Sequence, residues 1–107
     1  MATPFARPDV RHVYHVYAVR TDRRELLRDA LAAGGIATNV HYPIPVHLQE
    51  AYADLGYGPG SFPHAERAAA EVLSLPMYPE LPADVPEPVA ACIERATRGA
   101  GVLAGSR

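Results

Sequence analysis

Hydrophobic positions alternate in one stretch of the chain and recur at helical spacing in others. The switches between the two periods mark the elements. From Arg11 to Arg20 the residues are β-branched and aromatic, with Val13, His15, Tyr17 and Val19 on one face and His12, Tyr14, Val16 and Ala18 on the other. Both faces are mostly apolar, which predicts a central strand covered on two sides. Leu26, Leu27, Ala30 and Leu31 then repeat at helical spacing behind Asp22 and Glu25, a pair placed for helix capping. Gly34-Gly35 ends that helix, because glycine accepts the left-handed conformation of a C-cap. Ile36 to Val40 is a second, short strand.

Beyond it, Leu48, Tyr52 and Leu55 fall on one side of a short helix beginning near His47. Gly56 to Gly60 is a turn-rich loop. Ser61 and Pro63 open another helix, with Ala65, Ala68, Ala69, Val72 and Leu73 as a narrow apolar face. Leu73 to Leu75 is a brief third strand ended by Pro76, and Met77 to Pro79 stays extended. Asp84, Pro86 and Glu87 start a last helix whose buried stripe is Val89, Cys92 or Ile93, and Ala96. The order is strand, helix, strand, two helices, strand, helix. It makes one small domain over 10–98, between an irregular lead-in over 1–9 and a flexible tail over 99–107.

Composition narrows the function classes. The chain has 107 residues and is 49% hydrophobic, but 19 of those residues are alanine, so the core is thin and gains from docking against something else. A net charge of −2 gives no electrostatic footprint for nucleic acid. All ten basic residues are arginine, so the chain has no side-chain amine. The single cysteine, Cys92, excludes an internal disulfide and a cysteine-rich zinc site, and reads as a buried inert thiol. No apolar run approaches the roughly 20 residues that span a bilayer, and the N-terminus has no signal-type core, so a cytoplasmic protein without a membrane partner is expected.

The chemistry gathers in His41-Tyr42-Pro43-Ile44-Pro45-Val46-His47-Leu48, where two histidines and a phenol sit on a segment stiffened by prolines. A metal held by His41 and His47 with His64 or His15 is disfavoured, because no tight ligand spacing occurs. Ser61, Ser74 and Cys92 lack the context of a nucleophile, and the acids sit in helix first turns and on solvent faces. No catalytic residue is assigned. The glycines of 56–60 are not a phosphate loop, since no lysine follows them. His15 reads as a structural histidine. His41 and Tyr42 differ because they stand at a strand end, where functional groups concentrate; on the residues alone, a binding role and a structural role both stay open.

These features occur together in a known order. Tyr14-His15-Val16-Tyr17, Gly35-Ile36, His41 to Gln49, Ala51-Tyr52, Leu55-Gly56-Tyr57, Phe62-Pro63, Ala65-Glu66 and Leu73 to Leu81 resemble, in order and spacing, the C-terminal small domain of the pyridoxal-phosphate-dependent nucleotide-sugar aminotransferases, the DegT/DnrJ/StrS group. The resemblance covers about two thirds of the chain. It implies an α+β fold of aspartate-aminotransferase type I, with a small, mainly antiparallel three-stranded sheet flanked by about four helices. It implies conversion of a keto-sugar nucleotide to an amino-sugar nucleotide, glutamate being the amino donor, in a homodimeric enzyme. It makes His41 and Tyr42 contacts to the nucleotide sugar. His47 is a weaker substrate contact, or else an anchor for the helix that follows.

The family's cofactor lysine, pyridine-pairing acid and phosphate-binding loop belong to a large domain that these residues do not contain. The expectation is therefore a chain that binds no cofactor by itself and is inactive alone, with pyridoxal phosphate held by a large domain in cis or in trans. The alternative is a non-catalytic module, derived from that domain, which binds a nucleotide sugar or an aminotransferase partner.

Overall fold

The computed structural model describes residues 1–104. Its elements are β1 (Tyr17–Arg20), α1 (Arg24–Ala33), two 3₁₀ segments (Val46–Leu48 and Glu50–Leu55), α2 (Pro63–Glu71), β2 (Val72–Leu75) and α3 (Pro86–Ala104). α3 thus runs beyond Gly99, where a tail was expected, and 105–107 lie outside the described residues.

The fold is α+β, but the sheet has two strands among the described residues, not three. β1 and β2 pair antiparallel, Tyr17 opposite Leu75 and Arg20 opposite Val72. The expected Ile36–Val40 strand is reduced to one bridge on the far side of β2, where Asn39 and Ser74 exchange backbone hydrogen bonds of 3.1 and 2.7 Å. A similar bridge joins Ala2 to Arg20 on the outer edge of β1.

Register explains why the Asn39 ladder is so short. Ser74 directs both its N–H and its C=O to Asn39, so the next hydrogen-bonded pair on that side would set Ala37 opposite Pro76, which has no N–H to donate. Pairing stops there on the Asn39 side; on the other side β1 begins only at Tyr17, and the predicted strand over 11–16 is not formed. Tyr14 turns into the left-handed region at φ 47°, its amide donating to His12 Nδ1 over 2.8 Å, and Val13 is exposed.

α1 forms where its periodicity predicts, although it buries Leu27 and Leu31 and leaves Leu26 exposed. Asp22 does not cap it; the Thr21 hydroxyl accepts instead from the Arg23 amide at 3.1 Å. The C-terminal end is as expected. Gly35 is left-handed at φ 77°, and the Ile36 amide reaches back to the Leu31 carbonyl at 2.9 Å, a Schellman closure. Arg24 ties α1 to the C-terminal end of α2 by donating to the Ala69 carbonyl.

The core lies between the sheet, α1 and α3: Val19, Leu27, Leu31, Leu73, Val89, Cys92 and Ile93. Both Cys92 and Ile93 are inside. Burial of each leucine contributes about 1.5–3 kcal/mol. The thinness expected from the alanines is visible as an apolar groove of about 460 Å³ between β1, β2 and α3, floored by Tyr17, Val19, Leu75, Val89 and Ile93.

Candidate functional site

His41 emerges directly after the Asn39 bridge, so its backbone position is set by the sheet. Its ring is set by β2: Nδ1 lies 2.7 Å from the hydroxyl of Ser74, a residue that is only 5% exposed. The same side chains, with His15, Thr38 and Asn39, line a cavity of about 340 Å³ beside the end of β2. His15 is exposed at its rim rather than mid-strand on an apolar face, because β1 begins only at Tyr17.

Tyr42 follows in the left-handed region at φ 60°, a conformation that costs a residue with a Cβ about 1–2 kcal/mol. It is 83% exposed, and its ring centroid is 6.5 Å from that of His41. A strained backbone that holds an aromatic ring out in solvent contributes nothing to the core. It does present a phenol and an imidazole side by side.

His47 is placed differently. It is 8% exposed, its ring meets the edge of Phe62 at 4.9 Å, and Nε2 is 3.4 Å from a carboxylate oxygen of Glu66. That is within ion-pair distance but outside hydrogen-bond geometry, so Nε2 is buried without a hydrogen-bond partner. Glu66 accepts from the amides of Gly60 (2.8 and 3.0 Å) and Phe62 (3.2 Å). Its carboxyl is held below the usual carboxylate value, first by the Gly60 amide, against desolvation, and then by the Phe62 amide and His47. Glu66 therefore folds the glycine loop onto α2, and His47 packs behind that loop rather than beside His41.

The expected helix after His47 is two 3₁₀ segments, separated at Gln49, where the backbone is extended. The Tyr52 and Leu55 positions of its stripe are exposed, and with Val46, Tyr57 and Phe62 they form an apolar surface. Ser74 and Glu66 are the residues that periodicity does not single out. The available signals were a lone hydroxyl in the apolar run Val72-Leu73-Ser74-Leu75, and a glutamate four residues after the helix-opening Phe62-Pro63. Among the described residues, no group of three or more His, Cys, Asp or Glu side chains converges on a metal position, and no helix is long and apolar enough to cross a membrane.

A two-stranded sheet backed by helices, with an imidazole and a phenol at its open end, defines a small α+β domain. Residues 1–94 match the model of the DegT/DnrJ/EryC1/StrS aminotransferase family, and the chain belongs to that family. A "pleiotropic regulatory protein" of Geobacillus stearothermophilus is 54% identical over 70 residues, 65% of this chain and 19% of the relative. The dTDP-3-amino-3,4,6-trideoxy-alpha-D-glucose transaminase of Streptomyces venezuelae is 51% identical over 78 residues, 73% of this chain and 21% of the enzyme. The crystal structure of S. venezuelae DesV in complex with a ketimine intermediate superposes with a TM-score of 0.78 at 45% identity, covering 89% of this chain and 26% of that one. The chain thus spans about a fifth of the length of those two relatives.

Proposed function

We propose that this chain is one wall of the substrate cleft of a nucleotide-sugar aminotransferase, which converts a keto-sugar nucleotide to an amino-sugar nucleotide with glutamate as amino donor. Residues 10–98 are its small domain. The observation that carries the reading is the exposed His41-Tyr42 pair at the open end of the sheet, in a chain of this family. Tyr42 and His41 contact the sugar nucleotide, and His47 acts on the site indirectly by holding the 56–62 loop.

Pyridoxal phosphate chemistry begins at a primary amine, and no residue of the 107 is a lysine. The side chains present do not fit the cofactor, which sits on a large domain in cis or in trans. The part played by this chain is to bind and orient the sugar and to exclude water. The apolar groove between β1, β2 and α3 is a face on which the remainder of a homodimeric enzyme docks.

Mixing the chain with a family large domain that lacks its own small domain tests the reading. Glutamate-dependent amination of a keto-sugar nucleotide is expected in the mixture and not with the chain alone. Replacing His41 by Ala is expected to lower kcat/KM by about tenfold, the loss of one hydrogen bond. Turnover by the chain alone overturns the reading. So does an inactive mixture in which the chain still binds the sugar nucleotide, an outcome that would make it a binding module derived from the same domain.

A further inference from the structure

Ser74 is buried in β2 with its backbone bonded to Asn39, and the hydroxyl has one hydrogen-bond partner, Nδ1 of His41 at 2.7 Å. A buried O–H needs an acceptor, and leaving it without one costs about 1–3 kcal/mol. If Nδ1 carried the proton, it would donate to Oγ, and the Ser74 proton would have no protein acceptor among the described residues. With the proton on Nε2, the Ser74 O–H donates to Nδ1 and both groups are satisfied. The ring nitrogen left for a ligand is then a fixed N–H donor.

We infer that Ser74 is a positioning residue, which locks His41 as the Nε2–H tautomer so that the cavity presents a donor to an uncharged hydroxyl or keto oxygen of the ligand. The lining supports an uncharged group. His15, Thr38, Asn39, His41 and Ser74 supply its polar atoms, and no arginine, aspartate or glutamate lines it among the described residues. A phosphate would meet no fixed charge there. This inference rests on the sugar-nucleotide reading for the identity of the ligand, and on the geometry alone for the tautomer.

Ring nitrogen-15 resonances of His41, recorded on the intact chain at about pH 8, where ordinary imidazoles are neutral, test the tautomer. Wild type is expected to show a protonated Nε2 and an accepting Nδ1. Ser74→Ala is expected to drift towards the tautomer mixture of free histidine, and Ser74→Thr to restore the wild-type pattern, while thermal melting of each variant reports whether it folds. His41 resonances that are the same in Ser74→Ala as in wild type, or a protonated Nδ1 in wild type, overturn the assignment.

Millimolar dTDP-glucose is expected to move the His41 Nε2–H resonance in wild type and Ser74→Thr, whereas dTDP alone leaves it unmoved. An equal response to both, or to neither, overturns the ligand class. A chain that fails to complement a large domain while His41 still follows Ser74 sinks the aminotransferase reading and leaves the pair standing. Complementation by a chain whose His41 ignores Ser74 does the reverse.

Discussion

The core and the 41–62 segment are organised by opposite means. In the core, four side chains with almost no exposure, Val19, Leu27, Leu31 and Leu73, fix how β1, β2 and α1 meet. In the segment, Tyr42, Ile44, Val46, Tyr52, Leu55, Tyr57 and Phe62 are all exposed, and polar pins fix the shape: Ser74 on His41, and Glu66 on the amides of Gly60 and Phe62. Apolar burial is non-directional and tolerates small errors in placement, whereas a hydrogen bond specifies where one atom sits. The core that stabilises the chain and the 41–62 segment are therefore separable, and each can be perturbed with little effect on the other.

The sharpest break in that separation comes from the core. Leu31→Ala, at a fully buried position where α1 meets α3, is expected to cost about 2–5 kcal/mol, a large part of the stability of a small domain. The denaturant midpoint should fall accordingly; a shift equivalent to less than 1 kcal/mol would mean that the thin core does not carry the fold.

A smaller, local effect is expected at Glu66. Glu66→Gln should speed amide hydrogen exchange at Gly60 and Phe62 while leaving Leu31 and Leu73 protected. Acid should do the same to the wild type, seen as a fall in protection at those amides relative to the intrinsic exchange rate at each pH. Because the folded-state value of Glu66 lies below its unfolded value, its stabilisation of the loop is present above the ordinary carboxylate value and lost as pH falls through the lower one. Exchange at those two amides that ignores both the substitution and the acid would leave the loop without its pin.

The smallest change is at Tyr42. Tyr42→Gly removes the left-handed strain at an exposed position, so equilibrium unfolding should show a gain of up to about 1 kcal/mol, partly offset by the greater freedom of glycine in the unfolded chain. A clear loss of stability would show that the ring packs after all and that the two regions are not separable there.

What could be read from the sequence follows the same division. α1 with its Gly34-Gly35 end, Pro63 at the start of α2, the Leu73–Leu75 strand and the Val89, Cys92, Ile93 stripe were all legible, because each depends on neighbours a few residues away. The 11–16 and 36–40 strands were misjudged in length, since β-branched residues make a strand only where a partner can pair: the partner of the second runs into Pro76, and the first turns into the left-handed region at Tyr14. Leu26, Tyr52 and Leu55 have helical spacing but meet no facing element. His41 and Tyr42 stood out as candidates from their place at a strand end, and their rings do lie near each other, 6.5 Å apart, just past the Asn39 bridge. The Ser74 bond to His41 spans 33 positions and has no periodicity to reveal it. Nor does any local pattern say that Tyr42 is left-handed or that His47 turns inward to Glu66.

Pro76 has a further consequence. Because the Asn39 side finds no N–H at Pro76 and β1 begins only at Tyr17, the two segments part around the end of β2, and the space between Val16 and Ala37 stays open. The cavity beside His41 is a place where the sheet fails to zip, with an imino acid at the point where the Asn39 ladder ends. On the Ala37 side its edge is thus set by covalent backbone chemistry, which a rotamer change cannot undo.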